Sequence, residues 1–421
     1  MYKNYPYPIT TPKTEESKEL IAQAKQVFLA NYKPREMVLE RGVGARVWDL
    51  DGNEYIDLGA GIAVNSLGYN DADLKAALLE AADKIWHASN IFYTSAPINL
   101  ASALVEATPF ARGVYFANSG AEANEAAIKL IRKYAADSGR APEQREILTF
   151  TGSFHGRTMG ALAATAQPKY QQGFEPLPAG FVYCDGFNNM ELIRSVVNEN
   201  TCAILIEPVQ GEGGVMPAKA GFLKELRAFC NEKNLVLAYD EIQCGIGRTG
   251  KLFSYMHEAG AEPDLLTSAK ALGCGVPIGA MLVGEKLKDV FVFGSHGSTF
   301  GGNPLMCAVG LAAFKKINTL EIMDNVERQS IRIRDKLAAI HNDTKLFADI
   351  RGQGLMVGAE LVESWRGRAG EVSEMARRFG VLVLQAGPDV LRFLPPLNIS
   401  DEDLDVGLER LHEALLYLLK K

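Results

Sequence analysis

The chain has 421 residues, 47% hydrophobic and 23% charged, the balance of a globular enzyme with room for two or three domains. Its 44 basic and 51 acidic side chains leave a net charge of −7, which argues against a nucleic-acid binder or a polybasic membrane protein. The six cysteines form no CxxC pair, so a zinc ribbon is excluded and nothing suggests a disulfide scaffold.

The first stretch, MYKNYPYPITTPKTEESKEL, lacks the apolar segment of a secretory signal, and no apolar run approaches the ~18 residues that span a bilayer. A cytoplasmic protein is the expectation. Residues 1–15 read as an extended arm. Leu20, Ile21, Ala24, Val27 and Phe28 recur at helical spacing and predict a helix from Glu15 to Tyr32. Alternation around Asp51-Gly52-Asn53 predicts a β-hairpin over 45–58. The fragment DLDGNE looks like part of a calcium loop, but its glycine comes two residues too early, and no metal site is expected.

The middle of the chain repeats one unit. Short apolar runs end in a polar residue: GVYFA in Asn118, EILTF in Thr151, CAILI in Glu207, LVLAY in Asp240 and DLLTSA in Lys270. Helical patterns lie between them. Runs apolar on both faces, alternating with helices, predict an α/β sheet that is mostly parallel. In such sheets ligands bind beyond the carboxyl ends of the strands, where all five polar residues would stand.

Several segments carry candidate chemistry. Ser119 precedes Glu122 by three residues, the capping-box spacing, and Gly120 opens an Ala-rich helix. Such a helix start is either a plain cap or an anion site. TGSFHGRTMG puts Phe154, His155 and Arg157 on a loop after a strand. Phe154 suits stacking on a planar ring and Arg157 suits a carboxylate, whereas His155 reads equally as structural or catalytic. GIGRTG at 245–250 imitates a nucleotide loop, but Asp240 and Glu241 place negative charge where a pyrophosphate would sit.

Lys270 opens the glycine-rich loop ALGCGVPIGA. A lysine against apolar walls loses its ammonium form and becomes a nucleophile, although a strand-end lysine can also reach solvent. Asp240 ends a strand 30 residues earlier, one strand–helix–strand unit away. A lysine that forms a Schiff base and a carboxylate that keeps a pyridinium nitrogen protonated are the pairing pyridoxal phosphate requires. Arg392 sits in the apolar stretch VLRFLPPL, so it needs a partner, and Glu212 of EPVQGEGG is the internal candidate.

Read together, GAGIAVNSLGY, NSGAEANEAAIKL, FHGRT, EPVQGEGG, DEIQCGIGRTGKL, SAKALGCGVPIGA, STFGGNP and RFLPPLNIS resemble a class III pyridoxal-phosphate-dependent aminotransferase. Within that class the chain is most similar to the acetylornithine/succinylornithine group. The resemblance covers nearly everything from about residue 33, with departures at Tyr69 and Cys274. It implies an α/β protein of fold type I: a large domain with a mostly parallel seven-stranded sheet flanked by helices, plus a smaller α+β domain. The expected division is 1–75, an arm, helix and hairpin packing with the small domain; 76–310, the large cofactor-binding domain; and 311–421, the C-terminal small domain. The last is expected to begin with one long helical stretch to about residue 342.

The resemblance also implies residue roles. Lys270 would form the Schiff base and shuttle a proton, Asp240 would pair the ring nitrogen and Gln243 would reach the ring hydroxyl. Ile242 and Phe154 would sandwich the ring. Ser119, Gly120 and Ala121 would hold the phosphate, joined by Thr299 from the other subunit of a homodimer. Arg392 would bind the α-carboxylate of glutamate and be neutralised by Glu212 otherwise. Arg157 would take a second carboxylate, and Ser298 is a further substrate-site candidate. The implied reaction moves the terminal amino group of N2-acetyl-L-ornithine, or its succinyl relative, to 2-oxoglutarate in a ping-pong cycle that yields glutamate, as in arginine biosynthesis. Ornithine and 4-aminobutyrate aminotransferases are the alternatives within the class. A non-catalytic cofactor-binding protein and a nicotinamide dehydrogenase are those outside it.

Overall fold

The five apolar runs become strands of one seven-stranded sheet in the computed structural model, which describes residues 7–420. Its strands are β1 (Ala111–Ala117), β2 (Glu146–Phe150), β3 (Phe181–Cys184), β4 (Thr201–Ile206), β5 (Val236–Asp240), β6 (Leu265–Ser268) and β7 (Gly279–Gly284). Their order across the sheet is β1-β7-β6-β5-β4-β2-β3. Only β7 runs antiparallel to its neighbours; every other pair is parallel. Strands β4 and β5 are buried throughout, as their lack of polar alternation requires.

The helix Gly120–Asp137 crosses this sheet on a face of Ala123, Ala126, Ala127, Ile128, Leu130 and Ile131. Alanines in its first turns let the helix start lie close to the strands. Gly279 at the head of β7 completes the fit, because a Cβ there would stand 2.3 Å from the Ser119 carbonyl oxygen.

Two smaller sheets flank the large one. In the first, Arg46–Asp49 and Glu54–Asp57 form the expected hairpin around Asp51-Gly52-Asn53, and Leu39–Val43 pairs antiparallel with Arg46–Asp49 to extend it. Its fourth strand, Val381–Leu382, comes from far along the chain and runs parallel to Glu54–Asp57. The second is antiparallel and contains Phe347–Gln353, Met356–Leu361, Val390–Phe393 and Leu384–Ala386. The closing helix is Asp401–Leu419.

Two local expectations need correction. The N-terminal helix is Glu15–Val27 and stops short of Tyr32. Asp51 fixes its start by accepting hydrogen bonds from Lys13 N, Thr14 N, the Thr14 hydroxyl and the Ser17 hydroxyl, so this carboxylate works as a cap. The long helical stretch after Gly310 is two helices, Pro304–Ile317 and Leu320–Thr344. Thr319 separates them, its side chain accepting from Ile322 N. In the arm, Tyr7 stacks on Phe379 and Ile9 N donates to Arg378 O at 2.6 Å. Residues 1–6 of that arm are outside the described residues.

Among the described residues, no helix is long and apolar enough to cross a membrane.

Candidate active site

Four of the five strand-end residues meet. Asn118, Glu207, Asp240 and Lys270 line a cavity of about 460 Å³ at the carboxyl edge of the large sheet. Thr151 does not join them; it is exposed and its hydroxyl bonds to Asp185. Ser119, Gly120, Ala121, Phe154, Arg157, Ile242 and Gln243 line the same cavity, and sequence reasoning had named all of them.

Asp240 is 3% exposed and held by three donors. Asn124 Nδ2 approaches its Oδ2 at 2.8 Å, His155 Nδ1 lies 2.8 Å from the same oxygen, and Ile242 N donates to Oδ1 at 3.1 Å. Asn124 is itself fixed, donating to His155 O at 2.7 Å and accepting from the Thr267 hydroxyl at 2.7 Å. This buried network keeps a carboxylate aimed into the cavity.

Lys270 follows β6 by two residues and begins a short 3-10 turn with a φ of +42°, a conformation that side chains rarely adopt. Among the described residues its amine makes no ion pair. Burial lowers its pKa below the usual lysine value, and the Arg392 charge lowers it further. Burial pushes the Glu207 carboxyl in the other direction, well above the ordinary range, and nearby Asp240 adds to that. The cavity thus disfavours the charged forms of both Lys270 and Glu207.

The helix start is built as an anion cradle. Ser119 Oγ accepts from Glu122 N at 3.2 Å, while the Glu122 carboxylate takes Asn118 N at 2.8 Å. This differs from a strict capping box, in which the glutamate would return to the cap residue's own N–H. It leaves the first N–H groups of the helix at the cavity wall without intrahelical acceptors. Gly120 leaves room for Ile242 here, since a Cβ would stand 2.8 Å from Ile242 Cδ1.

At the outer side, Arg157 carries no ion pair among the described residues. Its guanidinium lies 4.0 Å from the Tyr170 ring centroid and 5.3 Å from that of Phe154. Arg392 is 3% exposed and donates through Nη1 to Glu212 Oε1 at 2.6 Å and to Gln243 Oε1 at 3.1 Å. Glu212 is thus the internal partner that the sequence suggested. Ser298 and Thr299 are not in this cavity wall. Thr299 is exposed, and Ser298 bonds to Asn118 Nδ2 at 3.1 Å.

Sequence reasoning missed Asn124, Tyr170, Thr267 and Val64. Asn124 is the one with a usable signal, as a polar residue on the buried face of the Ala-rich helix.

A model of the class-III aminotransferases matches residues 28–415. The chain belongs to the class-III aminotransferase family. Acetylornithine aminotransferase of Xanthomonas campestris pv. campestris is 53% identical over 389 residues, 92% of this chain and 95% of that one. A Pseudomonas aeruginosa protein named succinylornithine transaminase/acetylornithine aminotransferase is 46% identical over 95% of this chain and 97% of its own length. The solved N-acetylornithine aminotransferase of Stenotrophomonas maltophilia K279a superposes with a TM-score of 0.83 at 46% identity, covering 95% of this chain and 99% of that one.

The residues of this class-III aminotransferase fit pyridoxal phosphate. A buried carboxylate with room for one more donor suits a protonated ring nitrogen, a lysine amine stands at the same cavity, and unsatisfied helix N–H groups suit a phosphate.

Proposed function

We propose that this aminotransferase moves the terminal amino group of N2-acetyl-L-ornithine, or N2-succinyl-L-ornithine, to 2-oxoglutarate. The products are the N-acyl-glutamate 5-semialdehyde and L-glutamate. The observation that carries this reading is a pair of arginines: Arg157 in the cavity wall with no ion pair among the described residues, and Arg392 bonded to Gln243 of that wall and already neutralised by Glu212. The similarity to acetylornithine and succinylornithine aminotransferases over nearly the whole chain supports the donor.

Pyridoxal phosphate, when bound, supplies an aldehyde that accepts the amino group and a ring that takes up the electrons of the substrate C–H bond. Lys270 Nζ, its pKa lowered by burial, takes the proton from the substrate carbon and returns it during the same turnover. Asp240 keeps a proton on the ring nitrogen, and His155 and Asn124 prevent the carboxylate from turning away. Phe154 and Ile242 would flank the ring, while Ser119, Gly120 and Ala121 would hold the phosphate. Gln243 Oε1 accepts from Arg392, which leaves its amide N–H groups for the ring oxygen.

The two substrates differ at one end. Glutamate and 2-oxoglutarate bring an α-carboxylate to Arg392, displacing Glu212; the N-acylornithine brings none there, and Glu212 stays. Arg157 binds the remaining carboxylate in both cases, its fork presented by Tyr170.

We further infer a cytoplasmic homodimer in which Thr299, and with it the Ser298 segment, serves the neighbouring cavity. The exposed position of Thr299 and the large exposed side chains of Trp86, Phe92, Tyr93 and Phe293 support that assembly. The division 1–75, 76–310 and 311–421 remains our reading of the domains.

An amino-donor panel with 2-oxoglutarate as acceptor tests the function. N2-acetylornithine or N2-succinylornithine should give the highest kcat/KM. A higher value for ornithine or 4-aminobutyrate would overturn the donor assignment.

A further inference from the structure

The glycine-rich segment that carries Glu212 is a tight hairpin. Val209–Gln210 pairs with Met216–Pro217, leaving Gly211, Glu212, Gly213, Gly214 and Val215 as its tip. The tip is seated on both sides. On one side, a Cβ at Gly213 would stand 2.9 Å from the Gly152 carbonyl oxygen, in the loop after β2. On the other, it rests on the C-terminal antiparallel sheet.

That sheet presents a row made for it. Arg351 is in register with Gly358, and Gly358 with Arg392, across three adjacent antiparallel strands. Residues paired in this way point to one face. Gly358 leaves a gap between the two arginines, and Val215 fills it: a Cβ at Gly358 would meet Val215 Cβ at 2.9 Å. Val215 is fully buried and has a φ of +55°, which a β-branched residue holds only under constraint.

The two arginines hold the tip by different means. Arg392 grips the Glu212 side chain, a bond that an arriving carboxylate can replace. Arg351 Nε donates to the backbone carbonyl of Gly214 at 2.9 Å, and its Nη1 is fixed by Asp349 at 3.1 Å and by Glu360. Nothing in that second set exchanges with a substrate. We propose that Arg351 is a positioning residue for specificity: it holds the hairpin in place while Glu212 is displaced, so that Glu212 returns to Arg392 when the carboxylate leaves. This rests on the reading of Arg392 as the α-carboxylate site.

The consequence is asymmetric. The N-acylornithine half-reaction needs Glu212 on Arg392, whereas the glutamate half-reaction needs Arg392 free. A loosened tip disfavours only the first.

Single-turnover kinetics on the full-length holoenzyme, with N2-acetylornithine and with glutamate separately, read this directly. Arg351→Gln should lower kcat/KM of the acetylornithine half-reaction by about tenfold, the size of one lost charge-assisted hydrogen bond. The glutamate half-reaction should stay within about twofold of wild type, and Arg351→Lys should recover part of the loss. In the cofactor-free protein, Arg351→Gln should speed amide hydrogen exchange across 213–216. Equal losses in both half-reactions, or an unchanged acetylornithine half-reaction, would overturn the proposal. Arg392→Gln is the separate control: unaltered glutamate affinity in that variant would reject the carboxylate-site reading itself, and the role of Arg351 with it.

Discussion

His155 Nδ1 lies 2.8 Å from Asp240 Oδ2, and both side chains are buried. The imidazole is thereby committed to the carboxylate, and its other nitrogen has no protein partner among the described residues. In the proposed reading His155 would act through Asp240, by fixing the carboxylate that pairs the ring nitrogen. His155→Gln should weaken pyridoxal phosphate binding by roughly 10- to 100-fold, the range for losing a hydrogen bond to a charged group. Equilibrium titration of the cofactor-free protein measures this, and unchanged affinity would remove His155 from the site.

Lys270→Ala should reduce turnover by at least roughly 10²- to 10⁴-fold, because among the described residues no other amine lines the cavity. Glutamate formation from N2-acetylornithine and 2-oxoglutarate is the assay. Transamination at the wild-type rate would reject the reading of Lys270.

Arg392→Gln should raise the KM for 2-oxoglutarate roughly 30- to 100-fold, since the variant leaves a substrate carboxylate without its cation. Glu212→Gln should act in the opposite sense on that substrate, because the guanidinium no longer has a competing anion. Initial rates at varied 2-oxoglutarate would detect both shifts, and parallel changes in the two variants would contradict the exchange.

The strand-end chemistry was legible because the central strands of the sheet are buried on both faces. Wherever such a run stops, its first polar residue stands at the sheet edge, and this brought Asn118, Glu207, Asp240 and Lys270 together. The rule failed for Thr151, whose loop turns its hydroxyl to Asp185. The break at Asn318-Thr319 was hidden by apolar spacing that continues through both helices, although Thr319 is a standard cap residue. Arg351 was illegible for a different reason. Its alignment with Gly358 and Arg392 depends on strand register, and strand Phe347–Gln353 shows no alternation that would have announced it.

Glu241 offers a test of the walls around the cavity. It is fully buried, accepts from Ser254 N and Tyr255 N at 2.9 Å each, and burial pushes its carboxyl up to about 7. A raised carboxyl pKa means the folded protein binds this proton more tightly than the unfolded chain. The contribution of Glu241 to stability is therefore complete below pH 4.5 and is lost as pH rises towards about 7. Glu241→Gln should flatten that part of the stability curve, as followed by chemical denaturation at a series of pH values. A variant with the same slope as wild type would show that the carboxyl ionises normally.

The reversed direction of β7 sets where this protein can accept extra residues. A parallel strand must send its successor back across the whole sheet, giving the chain a long detour in which an insertion can be absorbed. Between β6 and β7 there is no detour: the chain leaves and re-enters at the same rim, and the intervening Ala269–Ile278 forms cavity wall for much of its length. A scan of short peptide insertions along the gene should accordingly find tolerant positions at the opposite rim of the sheet, and a sharp gap over this turn.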